Sequence, residues 1–208
     1  MENTDQMANE VQRHPEFYIP SGDMVIQVER TIFKIHSHFL TKQSEVFRDM
    51  VTAAPQTTRP NDGTDSKPLV LSGDSVEGWE LFLSSIYREL FKPIIFTGKQ
   101  SIEILRIAHK YCMQSAEDNL ISRLKEETDT GRLLDLTVAS RIVDSKELYD
   151  TALQGLIASG TKPTLEEAKM IGIEAYHVIV SQLPMMNGKC RNCHQAGNVR
   201  CLYCRTFQ

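Results

Sequence analysis

The chain has 208 residues, 41% of them apolar and 24% charged, which allows one compact domain with an appendage or two small domains and excludes a large multidomain enzyme. That composition can build a core without disulfide staples and excludes a chain that is disordered throughout. Lys and Arg number 23 against 27 Asp and Glu, a net charge of −4, so any binding to nucleic acid or anionic lipid must be local.

Residues 1–20 carry little pattern, and Pro15 and Pro20 discourage a helix; residues 1–17 read as a flexible lead-in, with order beginning near Gly22. Met24, Ile26 and Val28 alternate with Val25 and Gln27, and Thr31 to Ile35 is again β-branched and aromatic, which predicts two short strands joined tightly at Glu29-Arg30. Ser44 is a candidate N-cap for a helix whose apolar stripe is Val46, Phe47, Met50, Val51 and Ala54. Pro55 to Lys67 is polar, with no apolar anchor, and reads as an exposed loop that can vary without harming the core.

Pro68 to Leu71 predicts one brief strand. Asp74 with Glu77 three residues on forms a capping arrangement for a helix with face Trp79, Phe82, Leu83, Ile86 and Leu90. Pro93 to Phe96 is either a strand or a buried connection. From Ser101 onward only helices are expected. Ile104, Ile107, Ala108, Tyr111 and Cys112 stripe the first, and Ser115 with Asp118 caps the second. Leu134 to Val143 is a third, and Leu148 to Ile157 a fourth that ends at Gly160 and Pro163. Thr164 with Glu167 caps a fifth that runs to Pro184. Short strands mixed with helices, then helices alone, describe an α+β domain with an all-helical extension.

Three stretches carry a family resemblance: Gly22-Asp23 to Val28, Phe33 to Leu40 with His36 at its centre, and Ser44 to Met50. They are similar to the strand, the F-x-x-H-x-x-x-L turn and the S-x-x-F helix of the BTB/POZ domain. Leu69 to Leu71, Trp79 to Tyr87 and the helix pair 101–127 follow in that family's order, and Ile86 to Leu90 departs from its pattern. The resemblance covers residues 18–127; residues 133–184 look like the helical extension common in fungal-type members. It implies a small sheet capped by helices, a non-enzymatic protein–protein interaction module, often a homodimer, and a cullin-type ubiquitin ligase scaffold or a transcriptional complex as partner.

The residues agree with that implication. A strand edge near the N-terminus and broad apolar helix faces are surfaces that demand burial, within the fold or against a partner. No Gly-rich phosphate loop, G-x-S-x-G, H-E-x-x-H or convincing Cys/His pair occurs, so no catalytic residue is expected.

No apolar run approaches the ~18–20 residues that cross a bilayer, and Met1 to Glu10 is polar and acidic where a leader would be basic and then apolar. The expectation is an intracellular protein, nuclear or cytoplasmic, without membrane contact. In such a compartment cysteines are thiols or metal ligands, and four of the five fall between Cys190 and Cys204. Cys190-Arg-Asn-Cys193 and Cys201-Leu-Tyr-Cys204 are two C-x-x-C knuckles separated by seven residues, with Gly188 and Gly197 to permit turns. Such knuckles can bring four thiolates round one structural Zn(II), giving a candidate zinc knuckle over residues 188–206. The duller reading is free thiols or cystines on a loose tail.

Residues 185–208 hold Lys189, Arg191, Arg200 and Arg205 and no acid, a charge of +4 against −8 on the rest. Hence the alternative function is a nucleic-acid-associated regulator that uses the basic tail, weakened because a tetrathiolate zinc site carries −2 of its own. His36-Ser-His38 could supply two ligands, but in a strand they would face opposite ways, and a structural histidine is the better reading. Cys112, Trp79, Phe82 and Phe47 read as packing residues.

Overall fold

The computed structural model describes residues 11–52, 62–88, 95–126 and 129–183. By its contacts the chain divides into two compact units, Met1–Leu120 and Ile121–Gln208.

The first unit is built on a sheet of four strands in the order β1-β3-β2-β4. β2 (Met24–Val28) and β3 (Thr31–Ile35) are the expected antiparallel pair, in unbroken register from Met24 opposite Ile35 to Val28 opposite Thr31. The turn between them works without Gly because Glu29 itself takes the left-handed conformation, φ 53°. Met24, Val25, Ile26 and Val28 are all buried, so β2 is covered on both faces, where the alternation alone suggests one.

Residues 1–10 of the expected flexible lead-in lie outside the described residues, while residues 12–17 of it fall in a strand, β1 (Gln12–Tyr18), which runs parallel to β3 at the sheet edge. Its register is interrupted between Arg13 and Tyr18, around Pro15, which removes one ladder donor. His14 bridges the interruption, its Nδ1 accepting the N–H groups of Glu16 and Phe17 at 3.2 and 3.0 Å while its ring stacks on Phe33 at 4.8 Å. Phe17 is buried. The irregularity erases the period of two by which a strand is read from sequence.

Two helices follow the sheet's first three strands. α1 (Ser37–Gln43) lies where the resemblance offered a turn, and α2 (Glu45–Thr52) begins after Ser44, whose Oγ accepts the Phe47 N–H at 3.1 Å as an N-cap does. The predicted loop, Pro55 to Lys67, lies outside the described residues in part. Residues 62–67 are not loose, however: Gly63 O accepts the Val25 N–H at 2.8 Å, and Asp65 accepts Lys34 Nζ at 2.7 Å and the Tyr18 hydroxyl. β4 (Leu69–Val70) then closes the sheet beside β2.

α3 (Val76–Arg88) is capped by Ser75, whose Oγ accepts the Gly78 N–H at 3.1 Å, and not by Asp74. Gly78 is small for a reason, since a Cβ there would come within 2.9 Å of that Oγ. Asp74 turns inward instead, accepting Trp79 Nε1 at 2.9 Å and the Tyr111 hydroxyl at 2.6 Å. Residues 93–94 lie outside the described residues; Ile95, next in sequence, is 90% exposed, which argues against a buried connection there. α4 (Gly98–Lys110) starts three residues earlier than Ser101, behind a Thr97/Gln100 capping box. Phe47, Trp79, Phe82 and Tyr111 meet in one buried aromatic cluster, with ring centroids 4.6–6.0 Å apart.

α4 ends in a Schellman turn. Met113 N–H reaches Ala108 O at 2.8 Å, Cys112 N–H reaches His109 O at 3.1 Å, and Cys112 holds φ 52°. α5 (Gln114–Glu126) therefore begins at Gln114, and Ser115 lies inside it and does not cap it.

In the second unit α6 (Thr130–Ile142) and α7 (Lys146–Ser159) are capped by Asp129 and Ser145, and α7 ends on left-handed Gly160, φ 64°. The predicted fifth helix is two. α8 (Leu165–Ile171), behind the expected Thr164/Glu167 capping box, stops at Gly172, where φ 89° and ψ 156° break the chain before α9 (Ile173–Gln182). Leu134, Leu153, Leu156, Ile171, Ala175 and Ile179 form this unit's core.

Candidate functional site

The cysteines at 190, 193, 201 and 204 and the rest of residues 184–208 lie outside the described residues. Among the described residues no group of three or more His, Cys, Asp or Glu side chains is placed to hold a metal ion.

His36 and His38 do not flank a strand. They stand at and just inside the start of α1, so the opposite-face argument fails though its conclusion stands for His36. Tyr87 accepts the His36 backbone N–H at 2.9 Å and sits 3.0 Å from its Nδ1, while Nε2 lies 3.3 Å from Ser21 Oγ. Burial raises the Tyr87 phenol above its usual range, slightly opposed by the His36 N–H. His36 thus serves as a tether between β3 and α3. Asp23 completes the corner: its carboxylate accepts Ser37 N–H at 2.6 Å and Ser37 Oγ at 2.7 Å, capping α1 from a distance. The residues that carry the family resemblance, Asp23 and His36, are therefore structural joints.

Cys112 does not pack. It occupies the left-handed position after α4 and is exposed. Trp79, Phe82 and Phe47 are buried, as expected.

What the fold leaves uncovered is apolar surface. On α2 only Phe47, in the first turn, enters the aromatic cluster; Met50 and Val51, one turn on, are 40% and 47% exposed. The stripe is legible in sequence, but periodicity alone does not say whether the chain or a partner covers it. Glu45, Arg48 and Asp49 are exposed beside it, so a polar rim surrounds an apolar centre, the layout of a protein-binding patch.

The sheet presents a different surface. The strand edge expected near the N-terminus falls on β1, β2 is internal, and the edges are β1 and β4. β1 carries Pro15 and an interruption, and β4 has two residues, the devices that discourage addition of a further strand.

The second unit has an open groove of about 570 Å³ between the end of α7 and the start of α9, lined by Pro163, Leu165, Ala168, Ile173 and Tyr176 among others. Leu165 and Ile173 are 72% and 74% exposed there. No helix among the described residues is long and apolar enough to cross a membrane.

A search of curated proteins finds no match. The family model of the BTB/POZ domain matches residues 12–128, a span that opens with β1 and takes in the sheet, the Asp23 and His36 joints and helices α1 to α5. With more than half of its length matched, the chain belongs to the BTB/POZ domain family, whose domain is a protein–protein interaction module.

Proposed function

We propose that this chain is a non-enzymatic docking protein that pairs with a second copy of itself through the exposed face of α2 and presents the pair to a protein partner. That partner is a cullin-type ligase scaffold or a transcriptional complex, which places the protein in the cytoplasm or nucleus. The observation that carries the reading is the pair Met50 and Val51, left exposed on a helix whose first turn buries Phe47. Apolar side chains that the fold leaves in water gain free energy when a second surface covers them.

Light scattering on the full chain tests the pairing. The wild type should elute as a dimer. Met50→Glu with Val51→Lys should give a monomer with unchanged far-UV circular dichroism, since neither side chain enters the core. A wild type that is monomeric at micromolar concentration, or a double variant that stays dimeric, would sink the self-pairing. Affinity capture that returns a cullin or a transcriptional complex then decides between the two partners.

The alternative, a nucleic-acid-associated regulator, rests on four cations and no acid in residues 185–208. Phosphate contacts of that kind weaken steeply with salt, whereas pairing through apolar helix faces does not. The first reading is better supported because its surface belongs to the matched domain.

A further inference from the structure

We infer that the groove of the second unit, between the end of α7 and the start of α9, docks a short peptide segment of a partner protein, one that carries a bulky apolar residue beside an Asp or Glu. Two glycines shape the place: Gly160 ends α7 in the left-handed conformation, and Gly172 turns the chain between α8 and α9. In the lining Pro163 is buried and Ala168 and Tyr176 are half-buried, whereas Leu165 and Ile173 stand in water. Each of those two is the first residue of its helix, and neither belongs to the core that Ile171, Ala175 and Ile179 help to build. One exposed apolar side chain needs no explanation; two on a single concave surface call for an occupant.

Size decides the class of occupant. Nine residues line the groove, against about 20–30 on each side of a stable interface between folded proteins, so it is too small to hold a folded partner or a second copy by itself. Its volume of about 570 Å³ is that of a pocket for one ligand-sized group. An open trough with apolar walls suits a few residues of chain laid across it, one side chain anchored between Leu165 and Ile173.

Charge decides its composition. Lys162 is the one charged side chain in the lining, and it has no ion pair among the described residues. The acids nearest in sequence are engaged elsewhere: Glu167 accepts the Thr164 N–H at 2.6 Å, and Glu166 pairs with Lys169 at 2.8 Å. A carboxylate on the occupant supplies the missing counter-charge. Residues 185–208 of this chain, with four cations and no acid, do not fit that requirement.

The probe is a library of phage-displayed random heptapeptides selected on the full chain. Expected is enrichment of sequences that join an aromatic or branched aliphatic residue to an Asp or Glu. The best of them, made as a labelled synthetic peptide and read by fluorescence anisotropy, should bind about tenfold more weakly to Leu165→Ser with Ile173→Ser, and about tenfold more weakly to Lys162→Glu. Helical circular dichroism should be unchanged in both. The same peptide with its acid replaced by lysine should regain affinity for Lys162→Glu, a rescue that a structural lesion would not give. The site is separate from the pairing through α2, so Met50→Glu with Val51→Lys should bind the peptide as the wild type does, whatever its own oligomeric state. No enrichment, enrichment of basic sequences, affinity indifferent to the Leu165 and Ile173 pair, or absence of the charge-swap rescue would each overturn the inference. So would a fall in light-scattering mass on changing Leu165 and Ile173, which would make the groove a contact between copies.

Discussion

The carboxylate of Asp74 accepts the hydroxyl of Tyr111 at 2.6 Å, joining the segment before α3 to the end of α4. The same oxygen accepts Trp79 Nε1, and the other accepts Lys110 Nζ. Burial, reinforced by the hydrogen bond to Asp74, holds the Tyr111 phenol far above its usual range. Asp74→Ala removes an acceptor from two buried donors. Each unmade bond costs about 1–3 kcal/mol, and the variant should lose about 2–5 kcal/mol in urea unfolding with an unchanged slope. Asp74→Asn keeps one carbonyl and should lose less. A cost near zero for Asp74→Ala would mean the site rearranges around water.

Gly172 separates α8 from α9 at φ 89° and ψ 156°, a region other residues occupy only under strain. A Cβ there would also come within 3.0 Å of the Arg141 guanidinium, which caps the last turn of α8 by donating to Ile171 O at 3.2 Å. Gly172→Ala should therefore destabilise the second unit by about 1–3 kcal/mol. Hydrogen exchange would locate the effect: faster exchange confined to α6 to α9 is expected, and an effect spread evenly over the first unit would contradict it.

Cys112 presents the opposite case, a side chain where glycine is preferred. Left-handed backbone costs a residue with a Cβ about 1 kcal/mol, and the buried Met113 that follows holds the Schellman turn in place. Cys112→Gly should raise stability by up to about 1 kcal/mol, net of the entropy glycine adds to the unfolded chain. Thermal melts of the variant and of Cys112→Ala, which keeps the strain, make the comparison; equal midpoints would show that the turn carries no strain.

These joints explain what the sequence made legible and what it did not. Helices with a side-chain cap and a long stripe, such as those starting at Ser44 and Thr164, announce themselves because capping and periodicity are local chemistry. Glu29, Cys112 and Asp144 take left-handed conformations without being glycine, so the punctuation normally read as Gly is missing there. Asp74 has the residue type and spacing of a cap, yet the pull of two buried donors won, a tertiary effect invisible in a window of four residues. β1 was hidden by Pro15, and Gly172 splits a helix whose apolar stripe continues across the break. The exposed pair Met50 and Val51 was legible as a stripe, and only the packing of Phe47 against Trp79 and Tyr111 decides which turn of that stripe is buried.

Asp23 sets the acid limit of one corner of the fold. Burial by itself would raise its carboxyl, but the Ser37 N–H and hydroxyl outweigh that and bring it below the ordinary 3.8. A carboxyl depressed on folding adds stability that is fully present above the unfolded value and is lost as pH falls through the folded one. Asp23→Asn removes the charge at the start of α1 and should cost about 1 kcal/mol at neutral pH. The gap between wild type and variant should then narrow as pH drops below the ordinary carboxylate value and close once Asp23 is protonated in both states. Asp65, held low by Lys34 and Tyr18, titrates in both proteins and cancels in the difference. Urea midpoints measured from neutral pH down to acid would show this convergence; a constant offset would mean that Asn fails through shape or packing, and that the charge of Asp23 contributes nothing to the cap.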